Sequence, residues 1–178
     1  MLARNRESYN RTLRRHDDMK APAPRPTHEY NMIHFEGDRH IPLPVAEVAA
    51  KLSDAGYVAN CVTDSQVTEA TADRAVGKIK PKLSFLTGNL TLTAEVTARD
   101  PGKSVVFRVE SKAMGASSTV ESKLEFAEAE GGTVVHWTGD LVAVTGLLKM
   151  VPKGLLEGTA KKVIEDVWDA VAAKLAAS

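Results

Sequence analysis

From Leu90 to Thr97 the chain reads Leu-Thr-Leu-Thr-Ala-Glu-Val-Thr, apolar at every second position. A period of two puts Leu90, Leu92, Ala94 and Val96 on one face of an extended strand and the polar residues on the other. Such a strand rests one face on a core and turns the other to water, as the strands of antiparallel sheets do. The alternation resumes in Val105, Phe107 and Val109, after Asp100-Pro-Gly-Lys103 with its turn chemistry. It returns in residues 117–126, with Val120, Leu124 and Phe126 as apolar members, and again in Val135, Trp137 and Leu141, after Glu130-Gly-Gly-Thr133. Upstream, residues 67–71 and 74–80 form two further strands around a turn at Ala72-Asp73. Strands joined by turns this short pair antiparallel with their neighbours, so the segment is a meander.

Both flanks of the meander carry structure. Residues 32–41 partly alternate and read as a first strand, ended by Pro42 and Pro44. Pro44 suits the first turn of a helix, in which Val45, Val48, Ala49 and Leu52 recur at helical spacing. Ser53-Asp-Ala-Gly56 then caps a second short helix through Tyr57, Val58 and Cys61. Past the meander, counting about 100° per residue from Leu155, residues Leu156, Ala160, Val163, Ile164, Val167, Trp168, Val171 and Leu175 occupy one broad helical arc, opposite Lys161, Lys162, Glu165 and Asp169. That arc is wider than the roughly 100° stripe of a surface helix, as a helix lying in the hollow of a curved sheet requires. The expected fold is therefore α+β and of the helix-grip type: one strand, two short helices, six more strands and a long C-terminal helix. Gly154 and Gly158 fall on the polar side of that helix, and glycine costs about 1 kcal/mol in a helix interior. Either the regular helix starts near Thr159, or something packs closely there.

The 178 residues, 43% hydrophobic and 26% charged, suit one domain with a tail. Residues 1–31 hold seven Lys or Arg against four acidic groups, and residues 32–178 hold sixteen against nineteen. The Ala-Pro-Ala-Pro-Arg-Pro run of residues 21–26 favours extended backbone. We therefore expect a disordered basic tail at 1–31 and a folded domain at 32–178, with Met32 as an alternative biological start. The tail is either a solvated arm or a contact for an acidic partner or anionic lipid. A single cysteine, Cys61, rules out an intrachain disulfide framework and agrees with a reducing cytoplasm. No apolar h-region follows the charged N-terminus, and no apolar run approaches the roughly 20 residues of a membrane span.

Residues with catalytic or metal chemistry do not assemble into a motif. His34 and His40 share a strand face but stand about 20 Å apart at strand rise, and His16, His28 and His136 add no ligand spacing, so no metal site is expected. His136 lies opposite Trp137 and faces water if Trp137 faces inward. Cys61 has no neighbouring histidine, no Gly-x-Ser-x-Gly elbow is present, and aromatic residues are too sparse for a base-stacking platform. No catalytic residue and no nucleic-acid partner is assigned.

The stretch Gly154-Leu-Leu-Glu-Gly-Thr-Ala-Lys-Lys-Val-Ile-Glu-Asp-Val-Trp168 resembles the CoxG-like family of carbon monoxide dehydrogenase accessory proteins, which belongs to the START-like (SRPBCC, Bet v 1-like) superfamily. The Gly77-Lys-Ile-Lys-Pro81 strand and the Glu130-Gly-Gly-Thr-Val-Val135 turn match in the expected order, and the resemblance spans residues 32–175. One departure is Val62-Thr63, where many members carry a Pro-Gly pair. The resemblance implies a hydrophobic cavity between sheet and helix that holds a lipid or quinone. It also implies an accessory role beside a molybdenum hydroxylase, in the cytoplasm or on the inner face of the membrane. On that fold the cavity is expected to be lined by Leu83, Phe85, Leu90, Leu92, Phe107, Val109, Leu124, Trp137, Leu141, Val163, Val167 and Trp168. The link between the last strand and the long helix sets Leu147, Leu148, Met150 and Val151 among Lys149 and Lys153. Apolar groups beside lysines suit a cavity mouth that touches a membrane, or else leucines that plug the barrel end. The alternative function is a polyketide cyclase or aromatase working on an apolar substrate with an acid and a base inside the same cavity.

Overall fold

A computed structural model describes residues 33–80 and 88–177. Strand β1 (Ile33–Ile41) is followed by helices α1 (Val45–Leu52) and α2 (Ala55–Ala59). Strands β2 (Gln66–Ala70), β3 (Arg74–Ile79), β4 (Leu90–Asp100), β5 (Ser104–Ala113), β6 (Ala116–Ala129) and β7 (Gly132–Gly146) come next. A short 3-10 turn (Leu147–Met150) leads into α3 (Lys153–Ala176). The seven strands form one antiparallel sheet in the order β1-β7-β6-β5-β4-β3-β2. This is the helix-grip arrangement that the sequence leads one to expect. The tail at 1–31, and Leu83 and Phe85, lie outside the described residues.

Irregular pairing in the long strands marks where the sheet bends. The register shifts between Val96 and Ala98 in the β4–β5 pair, and between Thr119 and Val120 in the β6–β7 pair. Such bulges kink a strand and tighten its twist. At the end of β7, Gly146 adopts φ 60°, and a β-carbon there would lie 1.9 Å from the carbonyl oxygen of Gly115. Only glycine lets the last strand leave the sheet so close to the β5–β6 turn.

Several boundaries differ from the sequence reading by a residue or two. Pro44 stands at the N-cap of α1 rather than inside it. Helix α2 ends at Ala59, so Cys61 lies just beyond it; Asp54 caps its start by accepting from the Tyr57 N–H at 2.9 Å. The larger correction concerns α3. It is regular from Lys153 onward, and among the described residues nothing lies within 4 Å of where a β-carbon on Gly154 or Gly158 would sit. The helix does not wait for Thr159, and nothing among the described residues packs against these glycines.

Two apolar clusters close the two ends of the structure. One joins Val48 and Leu52 of α1 to Val105, Val135, Val171 and Leu175, all nearly inaccessible to solvent. The other joins Ile33, Ala116, Val144, Leu148 and Leu156. The C-terminal half of α3 is held firmly, because Lys174 Nζ donates to Asn60 O at 3.0 Å and lies 5.1 Å from the Tyr57 ring centre. Midway along the helix, Arg39 of β1 pairs with Glu165.

Candidate ligand cavity

Between the two clusters lies a cavity of about 470 Å³, walled by the concave face of the sheet, by α1 and α2, and by the inner side of α3. Its origin is visible strand by strand. Inward positions in the middle of the sheet carry small residues: Gly77 on β3, Ala94 on β4, Ser111 on β5, Ser118 and Ser122 on β6, and Gly139 on β7. Side chains of this size cannot reach the helix opposite, so the space between stays empty. An engineered apolar void of about 150 Å³ takes one benzene ring. The present cavity is about three times larger and falls within the range of ligand pockets.

Of the twelve residues expected on the wall, Leu90, Leu92, Phe107, Val109, Leu124, Trp137, Leu141, Val163, Val167 and Trp168 are on it. Trp137 and Trp168 meet across one side, with ring centres 6.3 Å apart and planes inclined by 40°. Val163, on the apolar arc and on the wall, is nonetheless 48% exposed. The N-terminal half of α3 thus stands higher over the sheet than its arc of apolar residues suggests. Sequence reading missed Phe35, Leu52, Val58 and the row of small residues. The signal was present for the last group, since Ser111 continues the parity of Phe107 and Val109, and Gly139 that of Trp137 and Leu141. Serine and glycine carry no hydrophobic mark, so a search for apolar residues passes over them.

The segment expected at the mouth divides. Leu148 is buried and forms part of the wall, and Val151 is half-buried against the same cluster. Leu147 and Met150 are 54% and 80% exposed, and Lys149 and Lys153 face solvent beside them.

Chemically the wall is inert. Among the described residues that line it, none is ionisable. Its serine hydroxyls are engaged locally: Ser111 and Ser118 share a hydrogen bond of 2.5 Å, Ser117 shares one of 2.6 Å with Thr145, Ser122 donates to Thr138 O at 2.9 Å, and Ser65 donates to Val62 O at 2.8 Å. The Trp137 indole nitrogen is buried without an acceptor among the described residues, and Gly37 lies against it. The titratable groups with shifted pKa values lie elsewhere. His34, on the outer face, donates to Asp140 at 2.6 Å, and this bond, with Glu36 nearby, holds its imidazole above the ordinary value. Lys123 holds the Glu125 carboxyl below its usual range. Burial pushes the Cys61 thiol up, against a smaller opposing pull from Lys174. His136 pairs with Asp38 at 2.8 Å across β1 and β7, on the face opposite Trp137. Among the described residues no three His, Cys, Asp or Glu side chains come close enough to hold a metal ion, and no helix is long and apolar enough to cross a membrane.

A family model described as polyketide cyclase / dehydrase and lipid transport matches residues 32–176. No curated protein matches the chain significantly. Among solved structures, a conserved protein from Geobacillus kaustophilus superposes with a TM-score of 0.71 at 18% identity, over 82% of this chain and 97% of its own. A protein from Rhizobium leguminosarum gives 0.60 at 14% identity, over 83% and 96%. Ara h 8.0201 gives 0.58 at 12% identity, over 83% and 99%. At these identities the likeness is one of fold.

Proposed function

We propose that this chain, which belongs to the polyketide cyclase / dehydrase and lipid-transport family, binds one largely hydrocarbon molecule in its cavity and releases it unchanged. The observation that carries this reading is the wall itself, apolar and without an ionisable side chain among the described residues. Burial of a guest's hydrocarbon in such a site is worth roughly 25 cal/mol per Å². With the serine hydroxyls of the wall already bonded, Thr159 at the start of α3 is the wall hydroxyl left to meet the guest's polar end. An isoprenoid quinone or a lipid fits that description. The cyclase or aromatase alternative requires an acid and a base converging on the substrate, and nothing on the described wall favours it.

Within this reading the chain works in the manner of the CoxG-like accessory proteins of carbon monoxide dehydrogenase. On the cytoplasmic side of the membrane it either shuttles a quinone or lipid or brings a molybdenum hydroxylase there. The resemblance of residues 154–168 supports that finer assignment.

Native mass spectrometry of the purified protein and thermal melts with decylubiquinone test the binding reading. At a hundredfold excess over Kd a ligand adds about 2.7 kcal/mol, which for a domain of this size raises Tm on the order of 5–10 °C. A protein that emerges empty, and melts at one temperature with or without quinones and neutral lipids, overturns it.

A further inference from the structure

Trp137 stands on the cavity wall with only 8% of its surface exposed, and its indole N–H is buried without an acceptor among the described residues. An indole nitrogen can only donate. Left unpaired, it forfeits the hydrogen bond that water gives it in the unfolded chain. Most buried side-chain donors in folded proteins have a partner, so this one calls for an acceptor. Its surroundings are committed elsewhere: the wall serines bond one another, Thr145 or main chain, and Arg39 on the inner face of β1 is paired with Glu165 of α3. The other buried unpaired side-chain atom among the described residues, the Tyr57 hydroxyl, is off the wall. A donor on the wall of a cavity finds its acceptor in what fills the cavity.

Trp137 and Trp168 belong to the cluster that closes the α1 end, so this donor sits deep in the cavity. The ring is held on one side and free on the other. On the β1 side it rests on Gly37, where a β-carbon would stand 3.1 Å from Nε1. Along its own strand the next inward residue is Gly139, and nothing among the described residues lies within 4 Å of where a β-carbon on Gly139 would sit. The indole has room to turn toward Gly139 and bring its covered N–H to the cavity. Thr159, whose hydroxyl is also unbonded, lies nine residues before Trp168, or about 13 Å along the helix axis. The two polar points of the wall therefore stand at opposite ends of an apolar run.

We infer that Trp137 is the hydrogen-bond anchor at the inner end of the cavity, and that it selects guests carrying an uncharged carbonyl oxygen. That oxygen accepts from Nε1, and the guest's hydrocarbon fills the space toward Thr159. A carboxylate is rejected there, because the described wall has no ionisable side chain to pair with a buried charge. A plain hydrocarbon gains its burial but leaves Nε1 unpaired. The favoured class is thus a ketone or an ester, over a free fatty acid or an alkane. The inference rests on the proposed binding of an apolar guest and adds the chemical group by which the guest is recognised.

The test uses the full chain and three ligands built on one skeleton: benzophenone, diphenylmethane and diphenylacetate. Affinities are read by displacement of N-phenylnaphthylamine, a neutral fluorescent guest, and the indole N–H signals by proton–nitrogen NMR. Wild type is expected to bind benzophenone at least about tenfold more tightly than diphenylacetate. Trp137→Phe should weaken benzophenone about tenfold more than it weakens diphenylmethane. Trp168→Phe, which removes the same ring area from the same wall, should weaken the two alike. Benzophenone should carry the Trp137 indole proton further downfield than diphenylmethane does. If wild type takes up neither the dye nor a neutral ligand, the binding reading itself fails. If the neutral ligands bind but Trp137→Phe weakens them equally, or the indole proton sits at one position with both, the anchor is overturned and the cavity stands. Diphenylacetate bound as tightly as benzophenone overturns the selection against charge. Should Trp137→Phe not fold, the wild-type spectrum, assigned through the backbone, decides alone.

Discussion

Gly37 on β1 lies directly under the indole of Trp137 on β7: a β-carbon at Gly37 would stand 2.9 Å from Cζ2 and 3.0 Å from Cε2 of that ring. The two residues are register partners in the β1–β7 pair, so the missing side chain of one is the seat of the other. The ring held in that seat forms one side of the cavity and faces Trp168.

This contact predicts the effect of Gly37→Ala. The added methyl must push the indole off β1 or distort the strand pair, and overpacking of this kind costs about 1–3 kcal/mol. Urea denaturation should show the loss, and the intrinsic fluorescence of the folded protein should shift as Trp137 moves relative to Trp168.

Gly139 is the opposite case. It is buried on the same strand, yet no atom of the described residues lies within 4 Å of where its β-carbon would be. Gly139→Val should stabilise the fold by roughly 0.5–1 kcal/mol, because a strand interior disfavours glycine. The added side chain would occupy space meant for a guest. Melting temperature should therefore rise while affinity for N-phenylnaphthylamine falls, a combination that a purely structural position would not give.

The two halves of α3 should respond differently to truncation. Leu175 is 1% exposed within the cluster at the α1 end, and Leu175→Ala is expected to cost about 2–5 kcal/mol. Val163 is half-exposed on the cavity wall. Val163→Ala should change stability far less and show its effect in ligand affinity. Parallel denaturation and dye titrations of the two variants check the contrast.

His34 predicts a pH dependence with a definite sign. Its hydrogen bond to Asp140, helped by Glu36, raises the folded-state pKa above the ordinary 6.5. A raised pKa means that the stabilisation is complete below 6.5 and is lost as pH climbs through the folded value. Water reaches both partners, so the change is small. The sharper measurement is an NMR titration: the His34 midpoint should lie above 6.5, and Asp140→Asn should bring it down.

Much of the architecture was written locally. Alternation in residues 90–97, 105–109 and 135–141 named the inner face of three strands, because a period of two assigns every side chain to one side without reference to the rest of the chain. The helical arc ending at Val171 and Leu175 likewise named the buried face of α3. The mouth segment was legible as a place but not as an orientation. Leu147 and Leu148 are adjacent and equally apolar, and only the departure of the chain at Gly146 turns one outward and the other into the wall.

Sequence by itself determined the element order, the antiparallel pairing and the large inward side chains of β4, β5 and β7, since these follow from neighbours a few residues apart. Tertiary structure alone decided that Gly77, Ala94, Ser111, Ser118 and Gly139 converge from five strands to leave one continuous void. It also brought His34 to Asp140 across 106 residues, and left Gly154 and Gly158 over open space. The physical reason is that a void is a property of distances between elements. It exists where side chains from remote parts of the chain are too short to meet, and no local pattern records what a residue fails to touch.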